Sequence, residues 1–246
     1  MRNIKITLEY NGTHYKGWQI QKSRKSSTIQ ETIENVLRQI LRKKIKLIGS
    51  GRTDAGVHAS GQVANFKTDH TISLEKLQEG LNALLPEDIC VVNVQEAAAD
   101  FHSRFSARSK IYRYTILNRM HRSALLRENS YFCRYPLDLQ LMQKEARALV
   151  GTHNFKAFAA SSRKEKNPLR RIKRIEITRR GEVISVEIEA DSFLYNMARN
   201  IVGTLIDVGR GKLPRASAQR ILNSRDRRQA GPTAPACGLC LVKVKY

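Results

Sequence analysis

The chain has 246 residues, of which 41% are hydrophobic, enough to bury the core of one large domain or of two ordinary ones. Lys and Arg number 44 against 22 Asp and Glu, a formal net charge of +22 that is spread over both halves of the chain. Such a surface predicts a polyanionic partner, either a nucleic acid or an anionic membrane face. No apolar run approaches the roughly 20 residues of a membrane-spanning helix, which argues against membrane insertion.

The amino terminus predicts a strand. Apolar and polar residues alternate from Asn3 to Tyr10, and the pattern stops at the turn pair Asn11-Gly12. A targeting leader would instead show a basic segment followed by an apolar stretch. We therefore expect a cytoplasmic protein.

Helices and strands alternate along the first half of the chain. Thr28 and Glu31 have the spacing of a capping box, and apolar residues then recur at helical spacing as far as Leu41. The elements predicted next are a glycine-rich loop at residues 49–61, a strand at 62–66, a helix at 73–85 and a strand at 89–94.

The order of elements after Arg104 resembles the first half. The predicted elements are strands at residues 110–117, 172–178, 183–190 and 239–246, and helices at 139–150, 193–208 and 216–222. Strands interleaved with helices predict an α+β fold of two similar domains, joined side by side, with antiparallel or mixed sheets and helices packed on one face. We place these domains at residues 1–105 and 106–246.

The cysteines do not predict a metal centre. Cys237 and Cys240 are the pair at metal-ligand spacing, but no second pair accompanies them, and Cys90 and Cys133 stand apart. We expect buried thiols, with the first pair in a strand.

The glycine-rich loop carries side chains that could do chemistry. Four of the 14 glycines fall between residues 49 and 61, where the backbone must turn tightly or approach a neighbour closely. Arg52, Asp54 and His58 lie in the same stretch. Asp54 could simply cap a backbone amide, or it could be a nucleophile. A phosphate-cradling loop is the weaker interpretation, because no Lys-Ser or Lys-Thr follows and a carboxylate repels phosphate.

The segment Gly51 to His58, GRTDAGVH, resembles the signature of the TruA-type tRNA pseudouridine synthase family. Other segments that resemble the family follow its order: Gly17-Trp18-Gln19, Phe101 to Ala107, Tyr112-Arg113-Tyr114 and Phe193 to Gly203. Ser103 replaces a usual alanine, and Cys240 stands where an aromatic residue is common. These departures put in doubt the local packing and one edge of the pocket.

The resemblance implies isomerisation of uridine to pseudouridine in the anticodon stem-loop of tRNA, without a metal or an organic cofactor. It also implies a homodimer whose two copies jointly hold the tRNA, and an active site in a cleft between the two domains.

Four site residues follow from the resemblance. Asp54 corresponds to the catalytic aspartate, which forms a covalent intermediate by attack on either the base or the sugar. Arg199 is expected to reach Asp54 and favour its charged form, because a nearby positive charge lowers a carboxylate pKa. Tyr112 would stack on the extruded uridine. Arg52 would replace the flipped base in the RNA stack or hold a phosphate.

Plainer alternatives exist for each of these side chains. Arg199 could be a solvated helix arginine and Arg52 an ordinary surface arginine, while Tyr112 and Tyr114 share a strand face and either could belong to the core. We interpret His58 and His102 as structural. The polar segment 161–167 is interpreted as a mobile surface loop or a nucleic-acid contact, and Lys164, Lys166, Arg170 and Arg171 are candidate phosphate ligands.

Two other functions fit part of the pattern. A non-catalytic RNA-binding protein would have no need of Asp54. A hydrolase or phosphotransferase that uses Asp54 and His58 would need a divalent metal, for which the sequence shows no carboxylate cluster or histidine pair.

Overall fold

The structure, a computed structural model, describes residues 1–21, 27–160 and 167–246. These residues form two compact units: Met1–Arg108 with Cys240–Tyr246, the N-terminal unit, and Ser109–Leu239, the C-terminal unit. Each unit combines helices with β-strands, most of which pair antiparallel, and this confirms the predicted α+β class.

The N-terminal unit is built on strands that pair mostly antiparallel. Its strands are β1 (Arg2–Tyr10), β2 (Ile48–Gly49), β3 (His58–Thr68), β4 (Ile89–Ala97) and β10 (Leu239–Lys245). Strand β1 lies between β4 and β3, β2 pairs with β3, and β10 runs parallel to β3 with Cys240 opposite His58.

Two helices belong to this unit, α1 (Ile29–Leu41) and α2 (Leu74–Leu84). Both begin as the sequence predicts, because the hydroxyl of Thr28 accepts from the Glu31 amide at 3.3 Å and that of Ser73 accepts from the Lys76 amide at 3.3 Å. The apolar stripe of α1 and one face of β1 are buried. The fully covered side chains include Ile4, Ile6, Leu8, Ile29, Ile33 and Leu37. Each such side chain stabilises the unit by about 1.5–3 kcal/mol.

The C-terminal unit has five strands and three helices among its described residues. Its strands, in spatial order, are β6 (Tyr131–Cys133), β5 (Ser109–Asn118), β9 (Val183–Ala190), β8 (Leu169–Arg180) and β7 (Gly151–Asn154). Strand β6 is parallel to β5, and the other pairs are antiparallel. The helices are α3 (Leu139–Arg147), α4 (Met197–Gly209) and α5 (Ser217–Ser224).

Two elements begin four residues away from their predicted start. Strand β3 starts at His58 rather than Gln62, because Ala59 already pairs with Tyr10 of β1. Helix α4 starts at Met197 rather than Phe193, because Asn196 has a left-handed φ of 61° that no continuing helix allows.

Gly61 therefore lies inside a strand, where it permits a close approach and not a turn. A Cβ at this position would collide with the carbonyl oxygen of Val242 in β10. Because β10 pairs with β3, residues 240–246 group with the N-terminal unit. The division expected from the sequence placed these residues in the second domain.

The expectation of buried thiols is wrong for three of the four cysteines. Cys133 is buried, Cys237 and Cys240 are half-buried, and Cys90 is exposed. Cys237 lies in a 3₁₀ turn, residues 236–238, that precedes β10 and so is not part of the strand.

None of the helices among residues 1–21, 27–160 and 167–246 is both long and apolar enough to cross a lipid bilayer. Most of the predicted RNA-contact segment, including Lys164 and Lys166, lies outside the described residues.

A pair of mid-helix glycines provides a test of the packing. A Cβ at Gly203 in α4 would overlap the carbonyl oxygen of Pro232, whereas a Cβ at Gly80 in α2 would lie 3.4 Å from the flexible end of Ile40. Alanine favours both helices by up to about 1 kcal/mol. We expect Gly80→Ala to be neutral or stabilising and Gly203→Ala to lower the free energy of unfolding by about 2 kcal/mol, since a backbone segment must move.

Denaturant unfolding of the two variants beside the parent measures this difference. Equal stability of the two variants would contradict the close approach of residues 231–234 to α4.

Candidate active site

The loop between β2 and β3, which carries Asp54, is tied at its start to β3. The hydroxyl of Ser50 bonds to Oε1 of Gln62 at 2.7 Å, and Nε2 of Gln62 donates to the carbonyl of Gly51 at 2.9 Å. These bonds determine where the loop leaves the sheet.

Residues on both sides of Asp54 are held by the segment that follows β1. The Trp18 amide donates to the carbonyl of Thr53 at 3.0 Å, and the Gly56 amide donates to the carbonyl of Tyr15 at 3.3 Å. Asp54 therefore lies between two backbone positions that cannot shift independently of this segment.

Gly17 makes this contact possible. Its φ of +90° is a conformation that L side chains rarely adopt, and a Cβ there would lie 2.5 Å from the carbonyl oxygen of Thr53. Beneath the loop, the hydroxyls of Thr53 and Tyr10 are 2.8 Å apart. Burial raises the pKa of Tyr10, so its hydroxyl is neutral at physiological pH.

Asp54 itself is half-buried, at the start of a tight turn. Its carbonyl oxygen accepts from the Val57 amide at 3.1 Å, and Gly56 supplies the positive φ of 76° within the turn. A half-buried side chain on a loop that is held from both sides stays open to a substrate while its backbone position varies little.

Arg52 is exposed, and its side chain is aligned by a chain of amides that starts on α1. Nε of Arg52 donates to Oε1 of Gln19 at 3.1 Å, and Nε2 of Gln19 donates to Oε1 of Gln30 at 2.7 Å. Gln30 is buried and donates to the carbonyl of Leu47 at 3.0 Å. Gln19 thus orients Arg52, a role that the sequence analysis missed although Gln19 lies in a segment that it singled out.

The two histidines accept from backbone amides, as their structural interpretation predicts. Nδ1 of buried His58 accepts from the Gly12 amide at 3.1 Å. Nδ1 of His102 accepts from the amides of Arg104 at 3.2 Å and Phe105 at 3.3 Å.

Tyr112 lies on β5 in the C-terminal unit and is 7% exposed. Its ring meets that of Phe193 edge to face, with centroids 4.9 Å apart. Tyr114 is fully buried, and its hydroxyl donates to the carbonyl of Pro235 at 2.8 Å. Burial raises the pKa of Tyr114, and Tyr114 is a core residue of this unit.

Arg199, in the first turn of α4, is half-buried and is not a solvated surface arginine. Its Nε donates to the carbonyl of Ala234 at 2.7 Å, and its own carbonyl accepts from the Ala234 amide at 3.2 Å. Its positive charge also opposes the effect of burial, which raises the pKa of Cys237. Arg199 is therefore fixed to the segment around Ala234.

That segment is held by a network that the sequence analysis did not identify. Nη2 of Arg227 donates to Oδ1 of Asn200 at 3.0 Å and to the hydroxyl of Thr233 at 3.2 Å, and the Gly231 amide donates to the hydroxyl of Thr204 at 3.0 Å. Asn200 lies in a segment that the resemblance covers, but Arg227 carried no signal. Its side-chain partners Asn200 and Thr233 are 27 and 6 residues away in sequence, and no local pattern joins these positions.

The structure thus gives each predicted site residue a defined place. Asp54 and Arg52 share one loop of the N-terminal unit, and Tyr112 and Arg199 lie on β5 and α4 of the C-terminal unit. Among residues 1–21, 27–160 and 167–246 there is no group of three or more His, Cys, Asp or Glu side chains that could hold a metal ion. A reaction free of metal and cofactor stays a prediction.

Comparisons with known proteins address the family. The family model described as tRNA pseudouridine synthase matches residues 6–106 and 146–246, so both units contain part of the match. The tRNA pseudouridine synthase A of Acetivibrio thermocellus is 46% identical over 246 residues, with 100% of each chain covered. That of Thermoanaerobacter sp. strain X514 is 45% identical over 246 residues, again with 100% of each chain covered.

Among solved structures, a chain of a Cbf5-Nop10-Gar1 complex matches with a TM-score of 0.35 and 15% identity, over 82% of this chain and 44% of that one. This likeness is too low to support any argument. The family match and the relatives confirm the resemblance seen in the sequence: the chain belongs to the tRNA pseudouridine synthase family and is an isomerase.

Proposed function

We propose that this protein isomerises uridine to pseudouridine in the anticodon stem-loop of tRNA, with Asp54 as the nucleophile. The observation that carries the proposal is the half-buried Asp54 on a loop held from both sides, in a chain that its relatives match over the whole length. The bond between ribose C1′ and uracil N1 breaks and a bond from C1′ to C5 forms. The C5 hydrogen leaves as a proton and N1 gains one, so the product is an isomer and no co-reactant is consumed.

The C-terminal unit would supply the other two roles. Arg199 would keep Asp54 ionised, and Tyr112 would stack on the uracil once it has left the RNA helix. The proposal requires that both units present their side chains to the same uridine. Because Tyr112 is 7% exposed, stacking also requires that part of its cover moves.

Arg52 would occupy the space that the flipped base leaves, or bind a backbone phosphate. Its alignment by Gln19 at 3.1 Å supports such a role, because a guanidinium held through Nε presents its planar end in one direction. The basic charge supports tRNA as the partner, and the resemblance supports a homodimer. We expect the protein to act in the cytoplasm, because its amino terminus has the pattern of a strand.

The first prediction concerns Asp54→Asn, which keeps the size of the side chain and removes the nucleophile. We expect pseudouridine formation to fall at least about 1000-fold, while the affinity for tRNA changes little. The assay maps pseudouridine along an unmodified tRNA transcript without added cofactor.

Asp69→Asn is the matched control, because Asp69 is an exposed carboxylate paired with Lys43 at 2.6 Å. Full activity of Asp54→Asn would end the proposal, and tight tRNA binding by an inactive parent would favour a non-catalytic RNA-binding protein. Inhibition by a chelator, once the RNA is folded, would favour the metal-dependent alternative.

The second prediction separates stacking from general affinity. Tyr112→Leu should slow single-turnover conversion about tenfold to hundredfold, the kinetic equivalent of one lost base–aromatic contact, with a much smaller change in tRNA affinity. Tyr112→Phe keeps the ring and should retain most of the rate. Weaker binding with normal turnover of the bound RNA would contradict the stacking role.

The third prediction concerns pH. If Arg199 lowers the pKa of the nucleophile, then Arg199→Gln raises that pKa, and the acid limb of the pH–rate profile moves to higher pH. Arg199→Lys keeps the charge and should leave most of the limb in place. Arg38→Gln, a change on the exposed face of α1, is the control, and an acid limb that Arg199→Gln does not move would refute the electrostatic role.

A further inference from the structure

The C-terminal unit has a basic cavity at one end of its sheet. About 270 Å³ in volume, it lies where β5 ends at Asn118, and Arg119, Arg134 and Arg179 line it. Arg134 follows β6, and Arg179 lies near the end of β8. The cavity therefore gathers guanidinium groups from three separate parts of the chain.

The backbone around the cavity is held in place before any ligand arrives. Nδ2 of buried Asn118 donates to the carbonyls of Cys133 at 2.9 Å and Tyr135 at 2.7 Å, which ties the segment carrying Arg134 to the end of β5. The Asn118 amide donates to the carbonyl of Glu182 at 2.7 Å, which ties the same strand to the turn after β8. A site built in this way loses little conformational entropy on binding.

Two of the arginines are also aligned. Nε of Arg119 donates to the carbonyl of His121 at 2.7 Å and Nη1 of Arg119 meets Oε2 of Glu182 at 2.9 Å, while Nε of Arg179 donates to the carbonyl of Gly181 at 2.9 Å. No carboxylate is among the described residues that line the cavity, and Glu182 neutralises one guanidinium charge of the three. The remaining positive charge favours an anionic ligand.

We propose that this cavity binds a phosphodiester group of the tRNA backbone. Guanidinium forks match the geometry of phosphate oxygens, and arginines from several segments can contact one phosphate together. The apolar part of the lining includes Pro136 and Leu137, and no aromatic ring for base stacking is among the described lining residues, so the cavity suits backbone and not a base. The inference shares its tRNA substrate with the proposed function but does not depend on Asp54.

The test uses Arg134→Gln with Arg179→Gln, since both side chains are exposed and their loss leaves the buried core intact. We expect the dissociation constant of unmodified tRNA to rise about tenfold, and the slope of its logarithm against the logarithm of salt concentration to fall by about one to two. In single-turnover assays, the protein concentration that gives half of the maximal rate should rise, whereas the maximal rate itself should change much less.

Two matched variants make the result specific. Lys144→Gln with Arg147→Gln removes the same charge from exposed positions on α3 and should weaken binding much less. Arg134→Lys with Arg179→Lys keeps the charge, so the dependence of binding on salt should return to that of the parent. The affinity should recover only in part, because a lysine cannot make the bidentate contact of a guanidinium. Equal losses in the α3 pair and the cavity pair would overturn the proposal in favour of diffuse attraction.

Two further measurements could overturn the proposal. Calorimetric titration of the parent with inorganic phosphate would show whether the cavity instead holds a free anion. That alternative would be established if the parent binds phosphate tightly and the variant Arg134→Gln with Arg179→Gln does not, while the affinity of this variant for tRNA is unchanged. A change in sedimentation of the free protein would assign these arginines to contacts between copies. Activity of Asp54→Asn would refute the proposed nucleophile and leave this binding result standing.

Discussion

The hydrogen bond from the Trp18 amide to the carbonyl of Thr53 determines where Asp54 lies, and the proposed chemistry depends on it. The two backbone segments approach so closely that a side chain at Gly17 would prevent the contact. A loop rich in glycine is flexible when free, so without this contact the carboxylate would sample many positions. The contact holds an otherwise flexible segment in one position, which lowers the entropic cost of aligning Asp54 with a substrate.

The C-terminal unit holds its arginine in a comparable way. Arg199 is bonded to a backbone carbonyl at Ala234, and that segment crosses α4 where Gly203 leaves room for it. Arg227 and Asn200 then hold the crossing segment. In both units a side chain proposed for catalysis is placed by contacts with main-chain atoms, which tolerate less variation than contacts between flexible side chains.

The net charge of +22 does little for the stability of the fold. The ion pairs of the described residues, such as Lys43 with Asp69, lie mostly at the surface, where a pair contributes at most about 1 kcal/mol. The excess positive charge is typical of a surface that binds a polyanion, because it attracts such a partner over long distances. Long-range attraction does not orient a ligand, whereas built sites such as the cavity of Arg119, Arg134 and Arg179 can.

The sequence by itself determined the elements whose signals are local and the identity of the residues proposed for the site. Local signals, among them the alternation in β1 and the capping pair Thr28–Glu31 of α1, located β1, α1 and α2, and segments in family order pointed to Asp54, Arg52, Tyr112 and Arg199. Strands β2, β6 and β7 are too short to show a period and were not predicted. Only the tertiary structure decided that β10 joins the N-terminal unit, that Gln19 orients Arg52, and that Arg227 supports the segment of Arg199. These contacts join residues far apart in sequence, and no local pattern encodes which distant backbone a side chain will meet.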